Sequence, residues 1–193
     1  MMRLAMLSSL RAASTTGNVG FRCAQPGATR YHPDILLHTQ AGTRLAFGAS
    51  TSRLRIATMF YASCPMACPL TIESLRSIDK RLTPSEQAQV EFLLVTFDPD
   101  RDSTAVLQRV AVERGLDPRR WTLASSTTAD VRRVSALLDI PYRQLPDGSF
   151  NHASALVLLD RDGRELARTN KIATADPDFI DAVRAALRAG DSP

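Results

Sequence analysis

The chain has 193 residues, of which 44% are hydrophobic and 23% charged, a composition typical of one globular domain with a tail. Three cysteines are too few for a fold built on disulfides, and no run of about 18 apolar residues predicts a conventional membrane-spanning helix. The net charge of +4 comes from the first 33 residues, because the other basic and acidic residues balance at twenty each. The folded part therefore has no charge excess of the kind that predicts nucleic-acid binding.

Residues 1–33 differ from the rest in composition. They are rich in Ser, Ala, Thr and Gly, contain no acidic residue, and carry four arginines: Arg3, Arg11, Arg22 and Arg30. Three interpretations stay open for this segment, namely a secretory signal, an organellar transit peptide, and a disordered or wrongly assigned start. Cys23 lies in it, and we expect a thiol without a role there. The segment is expected to be separate from a folded domain at residues 34–193.

Hydrophobic patterning then predicts strands alternating with helices until a closing hairpin and helix. The expected strands are Ile35–Thr39 and Arg44–Phe47 as a hairpin, Leu54–Phe60, Glu91–Phe97, Trp121–Ala124, and Ala153–Leu159 with Arg164–Arg168 as a second hairpin. The expected helices are Pro69–Leu82, Thr104–Arg114, Asp130–Leu138 and Asp178–Ala189. This order indicates an α/β fold of one domain, a three-layer sandwich with crossover connections.

The sharpest motif is a pair of cysteines four residues apart, Cys64 and Cys68, each followed by proline. It lies where the strand Leu54–Phe60 gives way to a helix, so we expect Cys64 at or just before the helix start. One helical turn between the cysteines can place both sulfurs on one face, and the positive helix N-terminus favours the thiolate. Two thiolates can close a disulfide or bind a soft metal such as Cu(I). The motif alone does not separate these chemistries from two buried structural cysteines.

Two further motifs follow. Asp98-Pro99-Asp100-Arg101-Asp102 comes directly after the second buried strand, and His152 precedes the strand Ala153–Leu159. Together with Tyr61-Ala-Ser-Cys64-Pro-Met-Ala-Cys68-Pro69, they resemble the Sco/SenC family of thioredoxin-like copper proteins over about residues 34–189. The chain differs from the family pattern around the histidine, where Asn151 and Ala153 replace the common Asp and Ser.

The resemblance implies a thioredoxin-like fold with copper, as Cu(I) or Cu(II), held by Cys64, Cys68 and His152. It also implies a role in assembling the CuA centre of cytochrome c oxidase, as a copper donor or as a reductant of its cysteines. The expected partner is the CuA-bearing subunit or another copper chaperone, met at a membrane surface. Two thiolates and an imidazole suit copper in either state, although the same atoms also bind zinc.

The carboxylates of the second motif have two interpretations: paired acids for Mg²⁺ or acid–base chemistry, or a turn at Asp98-Pro99 followed by a helix cap. Asp98 lies at the carboxyl end of a buried strand, and we expect it to act behind the ligands by tuning the charge of the thiolates or the copper. For Asp102 we favour a structural role, in which Asp102 or Ser103 caps the next helix. His32 and His38 are weak candidates as ligands, because one lies at the tail boundary and the other on an expected edge hairpin.

Two enzyme functions compete with copper binding. A thiol–disulfide oxidoreductase would cycle Cys64 and Cys68, but such enzymes usually have two residues between the cysteines and a proline before the facing strand. This chain has three residues between them and Asn151-His152 before the expected strand. A peroxiredoxin-like peroxidase is the least favoured function. Such an enzyme would have a threonine three residues before the reactive cysteine, where this chain has Tyr61. The cysteine chemistry favours a compartment in which disulfides persist, the bacterial periplasm or the mitochondrial intermembrane space.

Overall fold

The computed structural model describes three parts of the chain, residues 34–64, 67–172 and 174–190, with the backbone alone at 67–69. The expected N-terminal segment, with Cys23 and His32, lies outside the described residues. None of the helices in the described parts is long and apolar enough to cross a membrane.

Nine strands occur in the described residues: β1 Leu36–Thr39, β2 Arg44–Ala46, β3 Leu54–Phe60, β4 Val90–Thr96, β5 Trp121–Ser125, β6 Tyr142–Gln144, β7 Phe150–His152, β8 Leu156–Leu159 and β9 Glu165–Thr169. Five helices occur in the same residues: α1 Ala67–Asp79, α2 Pro84–Ala88, α3 Thr104–Glu113, α4 Thr128–Leu138 and α5 Pro177–Gly190. Every strand and helix expected from the sequence is present, with bounds that agree to within three residues. The short elements α2, β6 and β7 were not expected.

Seven strands form one sheet in the order β2-β1-β5-β4-β3-β8-β9. The three central strands β3, β4 and β5 are parallel, and β8 and β1 flank them in antiparallel pairing. All seven residues of β3 and six of the seven of β4 are buried, which explains their unbroken apolar sequences. α4 packs against β3 and β4, and α5 packs against β9. The expected α/β domain with a central sheet is confirmed.

The helices of the crossovers begin and end at recognisable signals. Ser103 is the N-cap of α3 and accepts a hydrogen bond from the amide of Val106, while Gly115, with φ of 57°, follows the C-cap residue Arg114. α2 begins with a capping box, in which Thr83 and Glu86 each accept a hydrogen bond from the other's backbone amide. The sequence Thr-Pro-Ser-Glu at 83–86 is the signal that predicts this short helix.

We predict that the centre of β4 dominates the stability of the domain. Leu94 has no exposed surface, so Leu94→Ala should lower the free energy of unfolding by about 2–5 kcal/mol through lost burial and the cavity left behind. Leu166→Ala on β9, where the leucine is 45% exposed, is the control and should change it by less than about 0.5 kcal/mol. Urea unfolding followed by circular dichroism measures both, and equal losses would contradict the prediction.

Candidate metal centre

Three segments of the candidate site meet at one edge of the sheet. β3 and β4 are parallel and pair from Leu54–Val90 to Phe60–Thr96, so their carboxyl ends lie side by side. The amide of Phe97 donates to the carbonyl of Phe60 at 2.7 Å just beyond the last pair. β8 runs antiparallel to β3, so it begins at the same edge. The cysteine loop, the Asp98–Asp102 segment and the chain that enters β8 are therefore neighbours.

Cys64 lies in the loop between β3 and α1. The residue is buried at 9% exposure, and its amide donates to the carbonyl of Tyr61 at 3.3 Å. α1 begins at Ala67, which agrees with the expectation that Cys64 lies just before the helix. Cys68 is the second residue of α1, and its side chain is outside the described part of the structure. The relation between the two sulfurs therefore stays a prediction.

The helix that follows Cys64 favours a negative charge at its start. α1 has 13 residues, no acidic residue in its first turn, and Arg76 in its last turn. The exposed N–H groups and the positive end of the helix dipole at Ala67 stabilise a thiolate more than a thiol.

His152 is the last residue of β7 and does not stand directly before β8. β6 and β7 form a separate two-stranded sheet, in which Tyr142 pairs with His152, and residues 153–155 then lead to β8. The expectation of a strand that begins at Ala153 is wrong in this detail, so Ala155 and not His152 directly precedes the strand. The strands of this hairpin have three residues each and mixed burial, which gives no clear alternation in the sequence. The Asp147-Gly148 pair between them was the available turn signal.

A hydrogen bond orients the His152 imidazole. Nδ1 lies 2.8 Å from the carbonyl oxygen of Ala153. Because a carbonyl can only accept, Nδ1 carries the proton in this contact, and in the neutral imidazole Nε2 then has the lone pair. A backbone carbonyl thus holds the ring in one orientation, as a neighbouring carboxylate often does for a metal-binding histidine. The Asp that the family pattern places at position 151 is not needed to fix the ring.

Aromatic side chains surround this imidazole, and the sequence reasoning missed them. The His152 ring lies 4.8 Å from that of Phe97 and 6.0 Å from that of Tyr61, centroid to centroid. Phe150 contacts Tyr61 at 5.1 Å, and Tyr142 contacts Phe97 at 4.9 Å. Tyr61 connects the two halves of the site, since its ring packs on His152 while its carbonyl accepts from Cys64. These residues come from four separate segments, so no local pattern predicts the cluster.

Asp102 does not cap α3, because Ser103 does. Asp102 is 2% exposed, and its carboxylate accepts hydrogen bonds from the hydroxyl of Thr96 and, at 2.9 Å, from the amide of Ala62. It therefore ties the start of the cysteine loop to the end of β4. Desolvation by burial raises the pKa of Asp102, and the negative charge of Asp98 adds to this effect.

Asp98 is also buried, at 3% exposure, and forms an ion pair with Arg101. Its amide donates to the hydroxyl of Thr96 at 3.0 Å, and its carbonyl accepts from the amides of Arg101 and Asp102. The structure places Asp98 at the same sheet edge as Cys64, as expected. Its action on a metal stays a prediction.

The other expected candidates lie elsewhere. His38 is exposed on β1, and β5 and β4 lie between that strand and β3. The β1–β2 hairpin forms one edge of the sheet, as expected, with β2 as the outermost strand. Among the side chains that the structure describes, no three His, Cys, Asp or Glu residues form a group that could hold a metal. Since the Cys68 side chain is not among them, this finding does not test the proposed three-ligand set.

We predict that Asp102 makes the domain more stable as the pH falls. A pKa raised in the folded state means that protonation favours folding, so stability is highest below the ordinary value and is lost as the pH rises through the raised pKa. Asp102→Asn should keep the contact with Ala62 and flatten this dependence, whereas Asp102→Ala should cost about 1–3 kcal/mol by leaving polar groups unpaired.

Thermal unfolding from about pH 3 to about pH 8 measures this effect, because that range extends below the ordinary Asp pKa of about 3.9. Asp162→Asn, on an exposed turn residue, is the control and should follow the wild type. Equal pH dependence in Asp102→Asn and the wild type would contradict the prediction.

Comparisons with known proteins identify relatives of this chain in sequence and in fold. The family model of SCO1/SenC matches residues 24–188. A curated protein from Stutzerimonas stutzeri with the name "Putative copper-binding protein" is 24% identical over 123 residues, which are 61% of this chain and 59% of that protein. The chain thus spans about three fifths of the length of that relative.

Two solved structures have the same fold. The copper-bound structure of ScoI from Arabidopsis thaliana has a TM-score of 0.69 at 17% identity, covering 80% of this chain and 96% of that one. A SCO1/SenC family lipoprotein from Bacillus anthracis has a TM-score of 0.71 at 18% identity, covering 79% and 92%. With a family model that matches most of its length, this chain belongs to the SCO1/SenC family.

Proposed function

We propose that this protein binds copper through Cys64, Cys68 and His152 and assists the assembly of the CuA centre of cytochrome c oxidase. The observation that carries the proposal is the meeting of the cysteine loop and the β6–β7 hairpin at one edge of the sheet, with Tyr61 in contact with both. The copper-bound state of ScoI from Arabidopsis thaliana, which has the same fold, supports it.

The donor set fits copper. Two thiolates are soft ligands that favour Cu(I), and an imidazole suits Cu(I) and Cu(II) alike. The hydrogen bond from Nδ1 to the Ala153 carbonyl leaves Nε2 of His152 as the ligand atom. The N-terminus of α1 favours deprotonated cysteines, which metal binding requires. Zinc accepts the same three atoms, so the metal must be identified by measurement.

Residues around the ligands would limit access of water to bound copper. The rings of Phe97 and Tyr61 pack against the His152 imidazole, and the Phe150 ring packs against both of them. An apolar surround of this kind influences the redox potential and the accessibility of a metal site. His152 is half-buried and Ser63, next to Cys64, is exposed, so a partner could approach this edge to receive the copper. We propose that this partner is the CuA-bearing subunit or another copper chaperone.

We propose a location where disulfides persist, at a membrane surface in the periplasm, with the mitochondrial intermembrane space as the alternative. Residues 34–193 would form the copper-binding domain there, and residues 1–33 would be a targeting or disordered segment.

Thiol–disulfide exchange by Cys64 and Cys68 is the second candidate function. The position of Cys64 before the positive end of α1 favours it, since a thiolate is also the attacking species in disulfide exchange. The residues 153–155 that lead into β8 include no proline, unlike the facing loop expected of a thioredoxin-like reductase. Reduction of the CuA cysteines would join both functions in one protein.

We predict one copper per chain in the reduced protein, with His152→Ala weakening the affinity by about 10- to 100-fold because one of three ligands is lost. His38→Ala is the matched control, since His38 is exposed and lies on another strand. Competition titration with a Cu(I) chelator gives the affinities, and elemental analysis of the protein gives the metal. Equal affinity in His152→Ala and the wild type would contradict the ligand assignment.

We predict that general disulfide reduction is weak and independent of His152, because the imidazole acts on the metal and not on the sulfur exchange. The measurement is insulin-disulfide reduction by the metal-free wild type and His152→Ala, with Cys64→Ser as the inactive control. Rapid reduction together with an absence of tight copper binding would favour the oxidoreductase function.

A further inference from the structure

Arg101 connects two parts of the site that the main sheet does not join. Its guanidinium donates through Nε to the buried carboxylate of Asp98, in the segment after β4. Through Nη2 it donates to the carbonyl of Gly148, in the turn between β6 and β7. The two acceptors are 50 residues apart in the sequence. One side chain therefore ties the hairpin that ends in His152 to the end of β4.

The Arg101 side chain lies close to the backbone of Gly148 in the turn. Gly148 has a φ of +78°, and a Cβ added there would lie 3.3 Å from Nη1 of Arg101. The guanidinium carbon also lies 5.9 Å from the centroid of the Phe150 ring, which places a cation over an aromatic face on β7. Glycine allows both the left-handed backbone and the close approach of the arginine.

The ion pair differs from an ordinary surface pair. Exposed pairs contribute little because both partners stay hydrated. Here the Asp98 side chain is 4% exposed and the Arg101 side chain 49%, so the carboxylate is fixed inside the domain. The planar arginine fork can donate to the carboxylate and the carbonyl together, which a lysine cannot do in one geometry.

The hairpin needs such an attachment. Two three-residue strands do not form a stable sheet alone, and the aromatic contacts of Phe150, Tyr142 and His152 attach these strands to Tyr61 and Phe97. None of these rings belongs to the turn at Leu145–Ser149, which is closed by its own backbone hydrogen bonds of 2.8 and 2.9 Å. Arg101 adds a contact from outside the hairpin that fixes the turn relative to Asp98.

We propose that Arg101 is a positioning residue that holds the β6–β7 hairpin and thereby sets the place of His152. The effect on copper rests on the proposed function, whereas the attachment of the hairpin does not. Asp98 then acts by anchoring Arg101, and its own charge is neutralised by the guanidinium.

The test compares Arg101→Gln with the wild type in the full chain. Gln keeps a polar side chain and removes the charge and the fork. Gly148→Asn perturbs the same contact from the hairpin, because Asn tolerates positive φ and its Cβ meets the guanidinium. Arg119→Gln is the matched control, since Arg119 pairs with Asp117 before β5, at the opposite edge of the sheet.

The first measurement is hydrogen exchange of the hairpin amides, residues 145–152, in the metal-free protein. Arg101→Gln should exchange there about tenfold faster, since a charge-assisted hydrogen bond that restrains the turn is lost. Exchange in β3 and β4 should not change. The control Arg119→Gln should match the wild type throughout. Gly148→Asn should show the same local increase, which keeps the test decisive if Arg101→Gln does not fold.

The second measurement is copper binding and the absorption and EPR spectra of the Cu(II) form. Arg101→Gln should bind about tenfold more weakly, with a changed spectrum, because His152 is no longer held in one position. Unchanged hairpin exchange in both variants would overturn the proposal. Faster exchange with unchanged affinity and spectrum would overturn its link to His152. A wild type that binds no copper would overturn the proposed function alone, since the exchange result stands without metal.

Discussion

Parallel pairing of β3 and β4 is the constraint on which the site depends. Because the two strands are in register to Phe60 and Thr96, the loops that follow them leave the sheet together. The antiparallel β8 then brings the chain from His152 into the same edge. Three motifs that are far apart in the sequence thereby reach the same edge of the sheet. The sheet topology brings their segments together, and side-chain contacts with Tyr61, Phe97 and Arg101 then hold the separate β6–β7 hairpin in place.

The Asp98–Asp102 segment divides its two buried carboxylates between the two halves of the site. Asp102 holds the amide of Ala62 at the start of the cysteine loop, and Asp98 holds Arg101, which reaches the hairpin turn. A buried carboxylate is costly unless it is paired or well hydrogen-bonded. The two solve this differently: Asp98 has a cation, whereas Asp102 has neutral donors and a raised pKa.

The main sheet and its crossover helices could be predicted from the sequence, because the central strands are apolar runs and the helices begin at capping residues. Leu54–Phe60 has the predicted bounds, and its carboxyl end correctly located the cysteine loop. The β6–β7 hairpin was not predicted from the sequence. Its three-residue strands of mixed polarity have no periodicity, and they derive stability from contacts with Phe97 and Tyr61. The role of Asp102 was wrong for a related reason. A cap is a local signal, but the amide that Asp102 accepts from lies forty residues earlier.

The neutralisation of Asp98 by Arg101 also bears on the charge of the proposed copper site. If Asp98 kept an unpaired negative charge beside the thiolates, it would oppose their deprotonation and raise their pKa values. Paired with Arg101, it adds no net charge at this edge. Cys64 precedes the positive end of α1, and in the proposed site the charge of the donor set would come from the ligands themselves. The same ion pair thus serves geometry and electrostatics: it fixes the histidine hairpin and keeps a buried carboxylate from competing with the cysteines.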